Sequence, residues 1–213
     1  MSGAARARIL ERLRRAGATS EAASARLAAA GTQVSPVPSQ GQQQGEAAIQ
    51  QFIDKAIAAD ATASRIASLE DLPRALAEEL RGRNLPAAIR TGEDPIFDRD
   101  GGTVERSVGP GRITEPATLS RAEFGMAETG TLVLASGPDN PVTLTFLGET
   151  HFAVVAAEDI QPGFEGVWAG WRDRGLNPRT TNFVTGPSRS GDIGQVLHLG
   201  AHGPVNLHIF VVG

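Results

Sequence analysis

The run Leu207-His208-Ile209-Phe210-Val211-Val212 constrains the fold more than any other stretch of the chain. Its apolar residues follow one another without the polar alternation of a strand that has one wet face, so it reads as a strand covered on both sides. Strands of that kind sit in largely parallel sheets with other layers packed above and below them. Thr181-Asn182-Phe183-Val184-Thr185 is also β-prone and ends at Gly186, and the two segments are expected in one sheet.

Earlier segments point to the same class. Ile49, Phe52, Ile53, Ala56 and Ile57 recur at i, i+3, i+4, i+7 and i+8, which marks one face of a helix. Residues 61–67 are predicted as a strand. Residues 68–81 are predicted as a helix with Leu69, Leu72, Leu76 and Leu80 on one side; Pro73 suits only a first turn, so the helix starts near Asp71. Residues 86–89 are a short buried strand candidate, and strand, helix, strand in that order argues for a layered α/β domain. The Gly-rich, charged residues 98–111 are predicted as a hairpin or an exposed loop near the site. Leu132 to Leu134, Val142 to Phe146 and Phe152 to Ala156 are predicted strands. A helix is predicted from Asp159 onward, its Phe164, Val167, Trp168 and Trp171 forming a stripe for core or subunit contact, which leaves self-association open.

The first 45 residues read differently from the rest. Residues 1–30 are rich in Ala and Arg, with Ile9, Leu10, Leu13 and Ala16 at helical spacing. Their poverty in acids resembles a transit peptide, but Glu11 and the regular stripe fit an amphipathic docking helix better, or an arm whose arginines are simply solvated. Residues 31–45, GTQVSPVPSQGQQQG, have linker composition. The expected organisation is therefore an N-terminal helical arm and linker over 1–45, and one α/β domain over 46–213.

Composition removes several classes of function. At 40% hydrophobic and 21% charged residues the chain is globular, and a net charge of −4 speaks against a general nucleic-acid-binding surface. No window is apolar for long enough to span a bilayer. The chain has no cysteine, so disulfides, thiolate catalysis and iron–sulfur ligation by its own side chains are excluded. No G-x-G-x-x-G follows a strand, and around Ser188 the hydrolase elbow G-x-S-x-G finds Ser190 in place of its second glycine.

The candidate site is Gly186-Pro187-Ser188-Arg189-Ser190-Gly191-Asp192. Its terminal glycines permit positive φ, its serines offer hydroxyls, and Arg189 carries a planar cation with five donors. Read as a loop leaving a strand and entering a helical turn, it would aim free N–H groups at an anionic ligand, a carboxylate or a phosphate. Glu128-Thr129-Gly130-Thr131 interrupts another apolar segment and would present Glu128 near that ligand, with Asp192. In the opposing reading Asp192 caps the turn and Arg189 pairs with Glu128 or Asp192 to fix the loop. His198 and His202 have the i, i+4 spacing of a zinc pair, but Gly200 and Gly203-Pro204 argue against a helix there and no metal site is expected. His202 is expected to hold the connection or touch the ligand, and His208 to be structural.

At Ala127-Glu128-Thr129-Gly130-Thr131-Leu132-Val133-Leu134, at Thr185 to Ile193, and at Leu199-Gly200-Ala201-His202-Gly203-Pro204, the sequence resembles the LUD-domain family of the lactate-utilisation protein C type. The blocks agree in order, and the resemblance covers residues 47–213. It implies a three-layer, Rossmann-like α/β sandwich similar to the NagB/ribose-phosphate isomerase/CoA-transferase fold. It also implies a cytoplasmic, non-redox subunit of a system oxidising L-lactate to pyruvate, with no cofactor on this chain and iron–sulfur clusters on partner subunits. Thr129, Gly130, Thr131, Gly186, Pro187, Ser188, Arg189, Ser190, Asp192, His202 and Gly203 are then the expected ligand-binding residues.

Glu128 is the catalytic candidate, because its segment looks like the Ser-Glu-Asn-Gly of related CoA-transferases, although Thr129 stands where those have Asn. Two further departures fall at the loop. Ser190-Gly191-Asp192 replaces the family's frequent Thr-Ala-Asp, and Gly194 stands where an acid is common. The rival expectation is a stand-alone enzyme acting on a CoA ester, a sugar phosphate or a folate-like anion.

Overall fold

The computed structural model describes residues 3–17, 20–30, 37–99, 103–191 and 197–213. The chain divides into two compact units, Met1–Val37 and Pro38–Gly213. In the first, α1 (Gly3–Ala16) and α2 (Ser20–Ala30) are helical as the Ala-rich sequence favours. Arg14 and Arg15 in the last turn of α1 complement its carbonyl end.

The second unit runs α3 (Glu46–Ala58), β1 (Thr62–Ile66), α4 (Leu72–Gly82), β2 (Ala88–Thr91), β3 (Glu105–Val108), β4 (Ala117–Arg121), β5 (Phe124–Met126), β6 (Thr131–Ala135), α5 (Val142–Leu147), β7 (Thr150–Ala156), β8 (Ile160–Gln161), α6 (Phe164–Asp173), β9 (Thr181–Val184), β10 (Arg189–Gly191), β11 (Leu197–Leu199) and β12 (Asn206–Val212). Six of these strands form a parallel sheet in the order β1-β12-β7-β4-β2-β3. A second sheet, β8-β5-β6-β9, is antiparallel except where β8 joins β5. β10 and β11 form an antiparallel pair of their own.

The apolar run of β12 lies between β1 and β7 and is buried on both faces. Leu207, Ile209 and Val211 pack with Phe52 and Ala56 of α3 and with Leu132 and Leu134 of the second sheet. Phe210 points the other way, to Leu72, Leu76 and Leu80 of α4. The layers are therefore α4, the parallel sheet, and then α3 beside the second sheet, whose outer face is covered by Val167 and Trp171 of α6. Burying a side chain such as Phe52 or Phe210 completely contributes on the order of 2–3 kcal/mol. The buried row of α3 is Ala48, Phe52 and Ala56, so Ile57, expected on that face, is 51% exposed.

Several expectations are corrected. The segments around Phe183 and Phe210 lie in different sheets, because β9 pairs antiparallel with β6 while β12 pairs parallel with β1 and β7. Residues 142–147, β-branched enough to suggest a strand, form helix α5 after Pro141; Thr118 Oγ1 donates to Leu144 O at 2.6 Å and Leu144 is buried, so packing overrides propensity. Within 98–111, β3 adds to the sheet parallel to β2. After Asp159 comes the short strand β8, and the helix begins only at Phe164. Of the segment read as linker, residues 31–36 lie outside the described residues. Beyond them Gly41 is buried in a 3-10 turn, and Gln51 donates to Gln40 O at 2.8 Å.

Candidate functional site

The loop after β9 is shaped by what it must pass. Gly186 has φ +71, and a Cβ there would stand 2.0 Å from Ala59 O, so both conformation and space require glycine. Ser188 N donates to Pro204 O at 2.9 Å and Ser188 O accepts from Gly200 N at 3.1 Å. The chain then continues as β10, paired with β11 through Arg189↔Leu199 and Ser190↔His198. The loop thus leads into strand β10 and not a helical turn, and the Ser188 amide is spent on Pro204. Asp192 lies outside the described residues, as does the position of Gly194.

Arg189 works as a clamp. Its Nη1 donates to Ser188 O and Val205 O, each at 3.0 Å, and its Nε to Asp60 Oδ2 at 3.2 Å. Asp60, at φ +66, follows α3, so this one side chain joins the hairpin, the entry to β12 and the end of α3. Among the described residues its acidic partner is Asp60 and not Glu128.

Around this clamp lies a cavity of about 240 Å3. Gly186, Pro187, Ser188, Arg189, His202 and Gly203 all line it, so six of the expected ligand residues meet at one place. His202 is exposed, and its backbone N donates to Ser188 Oγ at 3.4 Å. Gly203 lies against Ser188, whose Cβ would be 3.3 Å from a Cβ at that glycine. Phe146, Val184, Pro204 and Leu207 add apolar wall.

Two lining residues were not picked out from the sequence. His151, the second residue of β7, is 1% exposed and sits 3.0 Å through Nε2 from Ser120 Oγ. Burial pushes its imidazole down to about 4, so the ring is neutral at physiological pH. Thr145 of α5 is the other. The available signal was a histidine opening a strand, Phe152 to Ala156, that is otherwise apolar on both faces.

The second block stands apart. Glu128 N donates to Pro162 O at 3.0 Å, and its carboxylate covers Gly163, where a Cβ would be 3.0 Å from Oε2. That puts Glu128 at the start of α6, a favourable position for a negative charge, and not among the residues lining the Arg189 cavity. Gly130, at φ +69, lets the turn pass α3, since a Cβ would be 2.3 Å from Ala56 N. A run of hydroxyls links the two blocks: Thr129 Oγ1 is 2.7 Å from Thr131 Oγ1, which is 2.6 Å from Thr185 Oγ1, next to Gly186.

A larger cavity of about 440 Å3 lies between α4 and β2–β3. Its Arg106 is committed to Thr91 Oγ1 at 2.7 Å, to Gly92 O at 3.1 Å and to Asp98. At the end of β4, burial works against the charge of Arg121, but its 2.6 Å hydrogen bond to Asp94 and the fields of Glu123, Asp94 and Asp139 outweigh it and raise its pKa. Among the described residues no group of three His, Cys, Asp or Glu side chains is arranged to hold a metal, and no helix is long and apolar enough to cross a membrane.

Residues 115–212 match the LUD domain. The lactate utilization protein C of a Geobacillus species (strain WCH70) is 37% identical over 98 residues, 44% of this chain and 41% of that protein. The chain thus spans about two fifths of that relative's length. The lactate utilization protein C of Halalkalibacterium halodurans is 28% identical over 172 residues, 72% of this chain and 73% of that protein. The crystal structure of a DUF162-family protein from Deinococcus radiodurans superposes with a TM-score of 0.58 at 26% identity, covering 80% of this chain and 100% of that one. Over residues 115–212, a little under half of its length, the chain is thus similar to the LUD domain.

Proposed function

We propose that this chain serves lactate utilisation as the non-redox subunit of a cytoplasmic system that oxidises L-lactate to pyruvate, and that it holds a small anionic metabolite in the cavity between β7, β12 and the loop at 186–189. The observation that carries the site is the convergence of Ser188, Arg189 and His202 on one cavity. The relatives' name supports the pathway. The absence of cysteine means that thiolate-held iron–sulfur clusters, if the system uses them, belong to partner proteins.

Arg189 has to be tested against its own clamp. Titrating the chain with L-lactate, pyruvate and inorganic phosphate should give binding that Arg189→Ala abolishes. Asp60→Asn breaks the same ion pair and keeps the guanidinium, and should retain binding. Equal losses in the two variants would mean that Arg189 only fixes the loop. Failure to co-purify with iron–sulfur proteins from lactate-grown cells would remove the subunit reading.

A further inference from the structure

The outer side of α6 leaves aromatic rings in the open. Phe164 is 43% exposed and Trp168 38%, and Phe183 of β9 is 38% exposed. The three form one patch: the ring centroids of Phe164 and Phe183 are 5.5 Å apart, and those of Trp168 and Phe183 are 5.8 Å apart. Trp168 also lies edge-on to the buried Trp171 at 5.9 Å, so its ring is held in place before anything binds. Single exposed apolar side chains are ordinary, but a contiguous patch marks a contact surface, and tryptophan is among the residues that most often dominate such contacts.

What covers the patch follows from the residues around it. Val167 and Trp171 take the buried side of α6, which leaves Glu165, Trp168, Ala169 and Arg172 exposed on the other. They fall at i, i+3, i+4 and i+7, a single face about 10.5 Å long. Among the described residues the ion pairs at this end of the molecule belong to Arg174, with Glu123 and Asp159, and neither Glu165 nor Arg172 takes part in one. Turned end for end, this face is its own complement. A second α6 laid antiparallel across it, with the two-fold axis between Trp168 and Ala169, brings Glu165 opposite the partner's Arg172, and Arg172 opposite the partner's Glu165. Each indole then meets the partner's Ala169, whose methyl leaves room for it. An unrelated protein would have to supply the same order of negative, large, small and positive residues, whereas a copy of this chain supplies it by symmetry.

We propose that the outer face of α6 is a homodimer interface, in which two copies of this chain pack antiparallel through Glu165, Trp168, Ala169 and Arg172, with Phe164 and Phe183 at the rim. It stands independently of any ligand in the Arg189 cavity.

The test is sedimentation equilibrium of the full chain from low to high micromolar concentration. The apparent mass should rise from 22.2 kDa toward twice that value. Trp168→Ala should weaken association about thirtyfold or more, as for the loss of a central anchor. Charge reversal tests the geometry with surface residues alone. Glu165→Arg and Arg172→Glu each set like charges opposite one another at both ends of the interface, and each variant by itself should associate roughly tenfold more weakly. Mixed in equal amounts, the two single variants should recover the wild-type association, and so should the double variant, because both arrangements restore opposite charges. A mass that stays at 22.2 kDa at every concentration overturns the proposal, and the occupant of the patch is then something other than a copy of this chain. A dimer indifferent to Trp168→Ala, or single reversals that mixing does not rescue, puts the contact elsewhere and overturns it as well.

Discussion

His151 and His208 are buried one residue apart in register, on the two faces of the same pair of strands. β7 and β12 pair His151 with Leu207 and Phe152 with His208, so His151 shares the α3 face with Leu207 while His208 faces α4. Burial pushes both rings down to about 4, Glu79 acting upward and Arg83 downward on His208. Yet His208 is finished: Nδ1 lies 2.8 Å from Thr62 Oγ1, Nε2 lies 3.1 Å from Ser64 Oγ, and the ring stacks edge-on to Phe210. Being neutral, it makes no ion pair with Glu79 3.6 Å away. His151 meets Ser120 Oγ through Nε2 and stands in the wall of the 240 Å3 cavity. The same residue type, buried and uncharged in both places, is a wedge between strand and aromatic core on one face and part of a cavity wall on the other.

Acid should break both sides together, and this is the largest effect expected. Each folded-state pKa lies below the free value of 6.5, so the unfolded chain takes up a proton that the native chain refuses. Stability is full above about pH 6.5 and falls toward pH 4, by about 1.4 kcal/mol per pH unit for each ring. Denaturant titrations across that range measure it, and a flat profile would deny the burial of both. His208→Leu separates the two faces: leaving Ser64 without its ring partner, while Thr62 keeps Arg83 Nη2 at 2.7 Å, should cost about 2–3 kcal/mol at pH 7 and halve the acid slope, with ligand binding unchanged. His151→Phe should cost less, about 1–2 kcal/mol from Ser120, and should halve the same slope. Thr145→Val is expected to be the smallest, within about 1 kcal/mol of neutral or slightly stabilising, because it removes an oxygen that has no partner. A strong loss there would mean that the hydroxyl is already satisfied.

The same contrast explains what could be read from the sequence. The apolar run of β12 and the leucines of α4 announce their burial, because a core face leaves a period in the residue types. The Arg189 loop was legible through its glycines, and Gly186 does stand where only glycine fits. Partner choice was not legible. Val184 and Phe210 both look like strand residues, but which sheet each joins depends on connections that local pattern does not record. Arg189 found Asp60, 129 residues away in sequence, and no spacing rule reaches that far. His151 reads in the sequence as an isolated polar residue; only the fold brings it to Ser120 on β4 and to the cavity wall.

β12 is made after every other strand described here, yet it lies in the interior of the sheet, with β1 on one side and β7 on the other. During synthesis the earlier strands are left as two unjoined parts, β1 alone and β7-β4-β2-β3, each exposing an edge and an apolar surface that nothing yet covers. Cooperative closure of the sheet must therefore wait for residues 206–212.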